Sequence, residues 1–155
     1  MKKKIIITFA CLLIFSGCGF KVVNNQKLHN FSIINVNTTG DNKIAYYLKN
    51  NLEEKKEIKN RKIDLDIKIR KDKTIKEKNI KNQITKYQIL LRLDISYTTN
   101  ENNMNGSFSI TKLGNYTVEE QYSQTINNEN NLMDTLNNNL AEEIKEKLSV
   151  ITNDF

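Results

Sequence analysis

The chain has 155 residues, which is room for one domain and one modest core. Twenty-four Lys/Arg against eighteen Asp/Glu give a formal charge of +6, with 38% hydrophobic residues, one His, two Cys, no Pro and no Trp. Cys11 and Cys18 both fall within the first eighteen residues and His29 is the single histidine, so the body of the chain has no disulfide, no Cys-based metal site and no zinc site built on two histidines. Asn occurs 24 times, Lys 21 times and Ile 20 times, a compositional bias that raises polarity, yet the apolar residues are too regularly spaced for a disordered chain.

The N-terminus reads as an export signal. Lys2, Lys3 and Lys4 precede the apolar run Ile5–Phe15, whose eleven residues at about 1.5 Å each cover only half of a ~30 Å hydrocarbon core. The run closes on Phe15-Ser16-Gly17-Cys18, which resembles the bacterial lipobox, with Phe15 where Leu is usual. Residues 1–17 are therefore expected to be a signal peptide and Cys18 to be lipidated, leaving a triacylated anchor whose chains hold it in a bilayer. Removing the three lysines lowers the formal charge from +6 to +3. The residue after Cys18 is Gly19 and not the Asp that commonly retains lipoproteins at the inner membrane, which points to the periplasmic face of the outer membrane.

Residues 18–30 read as lipid anchor and tether, and residues 31–155 as one domain. Phe31–Val36 is a short strand, followed by a polar cluster with Thr39 and Asp41 as helix caps. Ile44, Leu48 and Leu52 form an i, i+4, i+8 stripe, predicting a helix over about 42–57. Ile63–Arg70 alternates apolar and charged residues without interruption and predicts a strand with one covered face and one wet face. The charged stretch Lys71–Asn82 reads as the connection to a second long strand, Tyr87–Tyr97. Turn chemistry at 100–106 leads to Ser107–Thr111, and Leu113-Gly114-Asn115 predicts a bulge or bend before Tyr116–Val118.

From about Asn128 to Ile151 the period becomes helical, with Leu132, Leu136, Leu140, Ile144 and Leu148 on one stripe and Asn128 or Asn130 as caps. The expected fold class is α+β: two helices packed on one face of a four-stranded mixed or antiparallel sheet, in the order strand, helix, strand, strand, strand, helix.

Charge is unevenly placed. Residues 49–86 hold fourteen Lys/Arg against seven Asp/Glu, and residues 94–155 hold three against ten. A solvated hairpin in a Lys-rich chain accounts for this, and so does a patch for an anionic partner. The basic block lacks the interleaved aromatics of a single-strand binder, and an exported chain does not meet nucleic acid. The anion plentiful at a Gram-negative outer membrane is lipopolysaccharide, whose phosphates suit Lys and Arg. Lys68, Arg70, Lys71 and Lys73 are the nominated contacts, for lipopolysaccharide or for a barrel lumen.

Taken in order, Ser16-Gly17-Cys18-Gly19-Phe20, the helix at Ile44–Leu52, the Tyr87–Tyr97 strand after a charged hairpin, and the tail from Asn115-Tyr116 through Ala141-Glu142-Glu143-Ile144 resemble LptE, the lipopolysaccharide-assembly lipoprotein family, in its divergent alphaproteobacterial form. The resemblance spans nearly the whole chain. It implies an α+β protein that plugs and assists assembly of the LptD β-barrel and helps deliver lipopolysaccharide to the cell surface, with no catalysis and no cofactor. The Asn/Lys/Ile composition and lack of Pro depart from that family, so its lipopolysaccharide contacts are not carried over residue by residue. A different reading is an adaptor lipoprotein, such as an auxiliary subunit of a lipid transporter or a secretin pilot. A hydrolase would have to use Asp64, Asp66 and Asp94, and would lack Trp for sugar stacking.

Overall fold

In the computed structural model the described residues are 31–53, 61–100 and 104–153, so Cys18, the signal peptide and the tether lie outside them. The elements are β1 (Phe31–Thr39), α1 (Asn42–Leu52), β2 (Arg61–Lys78), β3 (Ile84–Thr99), β4 (Asn105–Thr117) and α2 (Tyr122–Asn153). The strands form one mixed sheet in the order β1-β2-β3-β4, with β1 parallel to β2 and the other pairs antiparallel. A parallel pair needs a crossover, and α1 supplies it. The expected fold class is the observed one.

Alternation on the strands decides the two faces. Ile63, Leu65, Ile67, Ile69, Ile89, Leu91, Leu93 and Ile95 are buried under the helices, and the residues between them face the other way. From α1, Ile44, Leu48 and Leu52 complete this core; from α2, Leu136, Leu140, Ile144 and Leu148 do so. Asp41 caps α1, its Oδ1 accepting from the Lys43 and Ile44 N–H groups at 3.0 and 3.1 Å. The expected end at 57 is not reached. After Leu52 the next position of the stripe is Lys56, which has nothing apolar to bury, and Glu53 is already extended with its carboxylate accepting from the Val36 N–H at 3.3 Å.

Three further expectations are corrected. First, β2 does not end at Arg70: it runs eighteen residues to Lys78, because β3 continues to offer a backbone partner after the apolar alternation of β2 has stopped. Second, β4 has no bulge at Gly114, since the β3–β4 register runs unbroken through Ile89 opposite Gly114. The glycine answers to packing instead, because a Cβ there would stand 2.5 Å from Leu132 Cδ1 of α2. Third, α2 begins at Tyr122, so Asn128 lies within the helix and not at its cap. Its side-chain amide donates back to the Thr117 carbonyl oxygen at 3.3 Å and the Thr117 hydroxyl at 3.1 Å, pinning the first turns of the helix to the end of β4.

Candidate functional site: an arginine pair on the open face of the sheet

The face of the sheet away from the helices is mostly polar, with Leu90 and Leu113 opposite each other on it. At one edge Asn35 and Asn37 donate to Asp64 and Asp66 at 2.7 and 3.0 Å. Each of these carboxylates is bonded by a side chain of the neighbouring strand. Further along, the β2–β3 register sets Lys68 opposite Asp94, Arg70 opposite Arg92 and Asp72 opposite Leu90. The β3–β4 register extends these rows to Ser109, Thr111 and Leu113.

Arg70 and Arg92 are thus a directly opposed pair of like charges, an arrangement that destabilises a sheet. Arg70 turns to Asp94 and forms an ion pair with it. Asp94 also accepts from the Ser109 hydroxyl at 2.9 Å. The Ser109 hydrogen bond, then the Arg70 guanidinium and the Lys68 charge, hold the Asp94 carboxyl below the usual aspartate value against a smaller upward push from desolvation. Arg92 has no ion-pair partner among the described residues. In the adjoining row Leu113 is 55% exposed beside Leu90. Two guanidinium groups, one of them uncompensated, therefore border a small apolar step.

Lys71 and Lys73 are elsewhere. The strand continues through them, so they point to the helix side, and the four nominated cations do not form one surface. Lys73 Nζ donates to Glu129 Oε2 of α2 at 2.8 Å and lies over the Tyr87 and Tyr116 rings at 4.6 and 5.1 Å. The Tyr116 hydroxyl donates to the same Glu129 oxygen at 2.7 Å. Burial pushes the Glu129 carboxyl up, but the hydrogen bonds from Lys73 and Tyr116 and the nearby charges of Lys73 and Lys71 outweigh it and leave Glu129 below the ordinary glutamate value. Burial likewise opposes the charge on Lys73, and Glu129 and Tyr116 together raise it above its ordinary value. Desolvation first, then the hydrogen bond to Glu129, push the Tyr116 hydroxyl up against the opposing effect of Lys73. This cluster fastens β2, β3 and β4 to the start of α2.

A shallow groove on the same side is lined by Phe108 and Lys112 of β4 and by Glu142, Glu143, Glu146 and Val150 of α2. Lys112 and Lys147 both pair with Glu143 there. No group of three or more His, Cys, Asp or Glu among the described residues is placed to hold a metal ion.

Arg92, Leu90 and Leu113 are not among the contacts nominated from the sequence, although the signal for Arg92 is present. Counting the β2–β3 hairpin outward from a turn centred near residue 81 places position 92 opposite position 70. That turn position emerges only once β2 is known to continue past Arg70.

No protein-family model and no curated protein sequence matches the chain. Solved structures do. The crystal structure of rare lipoprotein B from Shewanella oneidensis superposes with a TM-score of 0.61 at 8% identity, covering 79% of this chain and 98% of that one. The solution structure of lipoprotein B from Nitrosomonas europaea gives 0.54 at 12% identity, covering 79% and 85%. The chain shares its fold with these proteins.

Proposed function

We propose that this chain is an exported lipoprotein of the lipopolysaccharide-assembly type, anchored through Cys18 at the periplasmic face of the outer membrane. There it seats within an LptD-type β-barrel, assists the assembly of that barrel and helps deliver lipopolysaccharide to the cell surface. The lipobox-like Ser16-Gly17-Cys18 supports the anchor, the fold shared with rare lipoprotein B supports an envelope lipoprotein, and the sequence resemblance to the LptE family supports the class.

The observation that carries the reading is the opposed Arg70–Arg92 pair with Lys68 on the open face. A phosphate placed between the two guanidinium groups would relieve their repulsion and accept charge-assisted hydrogen bonds from both. Leu90 and Leu113, one row away, give acyl chains an apolar surface to lie on. Lipopolysaccharide joins phosphates and acyl chains in one molecule. Lys71 and Lys73 are no part of this patch, and Lys73 instead ties β2 to α2 through Glu129.

The test is the triple variant Lys68→Gln, Arg70→Gln, Arg92→Gln in a lipopolysaccharide pull-down. Charged hydrogen bonds contribute about 1.5–3 kcal/mol each, so retention is expected to fall about tenfold or more. The remaining binding should also depend less on salt. Far-UV circular dichroism should be unchanged, because no core position is touched. A folded triple variant that binds lipopolysaccharide and supports barrel assembly as well as the parent would favour an adaptor for another envelope complex. For the anchor, Cys18→Ala is expected to leave an uncleaved or soluble precursor; partition of a processed Cys18→Ala protein into detergent would contradict it.

A further inference from the structure

The β2–β3 hairpin outruns the rest of the sheet. β1 leaves β2 at the Thr39–Lys68 pair, and the last backbone bond from the end of β4 reaches Thr85, from the Val118 N–H at 2.9 Å. Beyond that point the hairpin is a two-stranded ribbon closed by residues 79–83. Such a ribbon is marginal without support, yet this turn is tightly tied. The Asn79 side-chain oxygen accepts from the Lys81 and Gln83 N–H groups, both at 3.0 Å, and the Asn79 amide donates to the Gln83 side chain at 2.9 Å. The Asn82 N–H donates to the Asn79 carbonyl oxygen at 2.9 Å, with Asn82 itself left-handed at φ 61°. The backbone of the tip is thus fixed by its own polar groups.

What the tip presents is apolar and cationic. Ile80 stands at the apex and is 103% exposed, and Ile75, in the row with Tyr87 and Tyr116 just before the ribbon begins, is 50% exposed. The cations at and beside the turn are Lys76, Lys78 and Lys81, while Glu77, where the ribbon begins, is already paired with Lys86 at 3.0 Å. Lys76 and Lys81 have no ion-pair partner among the described residues. The tip is an exposed apolar apex with unpaired cations beside it. It fits a flat, fluid surface that offers anions at one depth and hydrocarbon just below it.

We propose that the hairpin tip docks on an anionic lipid bilayer, with Ile80 entering the boundary between headgroups and acyl chains and Lys76, Lys78 and Lys81 engaging lipid phosphates. The contact is separate from the open-face patch and does not depend on it. Nor does an N-terminal anchor produce it. Seventeen steps of about 3.3 Å along β2 put the tip roughly 55 Å from Arg61, beside which the chain enters the sheet at Phe31.

The chain contains no Trp, so Ile80→Trp introduces a unique fluorophore into the full protein, and Tyr46→Trp on exposed α1 serves as the control. On vesicles of phosphatidylglycerol with brominated acyl chains, emission from position 80 is expected to shift to the blue and to be quenched, and emission from position 46 to be unchanged. Phosphatidylcholine vesicles should leave both positions water-like. Adding Lys76→Gln, Lys78→Gln and Lys81→Gln, or raising salt from 0.1 to 1 M so that the Debye length drops from about 10 to 3 Å, should weaken the quenching at position 80. Water-like emission from position 80 on the anionic vesicles overturns the proposal, as does equal quenching at both positions. A blue shift at position 80 that needs an added barrel protein and no lipid assigns the tip to a protein socket, and overturns it too.

Discussion

Gly40 joins β1 to α1 at φ +114°, a conformation that side-chain-bearing residues rarely adopt, and a Cβ there would collide with the Ile69 carbonyl oxygen of β2. Neither the backbone of a central strand nor the turn can yield. Gly114 differs, because the atom its Cβ would meet is the end of the Leu132 side chain, which can rotate away. Gly40→Ala is therefore expected to lower stability by about 3 kcal/mol or more, and Gly114→Ala by about 1 kcal/mol, as read from urea midpoints. Equal effects would show that the α1 entry is softer than its geometry.

The Lys73–Glu129–Tyr116 cluster predicts a pH dependence whose sign follows from its shifts. Glu129 is held below the ordinary value of 4.5, so the stability it contributes is present above 4.5 and is lost as pH falls through its folded value. Lys73 is raised above 10.5, so its contribution is present below 10.5 and is lost as pH rises through its own folded value. Glu129→Gln should flatten the acid limb of the stability curve below pH 4.5 and lower the plateau at neutral pH. An acid limb unchanged in the variant would place the responsible carboxylate elsewhere.

At the scale of elements, legibility followed the hydrophobic period. Ile63–Arg70 alternates apolar and charged residues, and Leu136–Leu148 repeats every four, so β2 and α2 were recognised from their own residues. Their ends were not, because each is set by contacts with residues far away. The second half of β2 carries Lys71, Lys73 and Thr74, and is a strand because β3 continues beside it. The first turns of α2 precede its apolar stripe and are held by Asn128 against Thr117. The misplaced strand end is also why Lys71 and Lys73 were grouped with Lys68 and Arg70: a connection has no faces, whereas a strand sends alternate residues to opposite sides.

Within α2, Leu140 is fully buried at the centre of the stripe. Leu140→Ala should cost about 2–5 kcal/mol, a large share of the stability of a domain of this size. Leu132 is only partly buried, over Gly114 near the start of the helix. Leu132→Ala is expected to cost less than half as much, and a melting temperature lowered equally by both would mean that the stripe is covered along its whole length.

For the whole molecule, the decisive feature is a long central hairpin supported unevenly along its length. Between Ile63 and Lys68, β2 has β1 on one side, β3 on the other and the helix layer above; past Lys78 it has only the turn. Opening of the overhang exposes little beyond Ile80, which is already fully exposed, whereas opening of the centre exposes the whole core. Amides of Ile67, Leu91 and Leu93 should therefore exchange only through global unfolding. Those from Lys76 to Gln83 should exchange through local opening, at least about a thousandfold faster, a gap of roughly 4 kcal/mol. The tip bonds of Asn79 hold the shape of the turn without linking it to the core, so they do not close that gap. If the tip docks on lipid, anionic vesicles should slow exchange at residues 76–83 and leave Ile67, Leu91 and Leu93 as they were. Slow exchange along the overhang in free protein would show that the hairpin opens as one unit with the core.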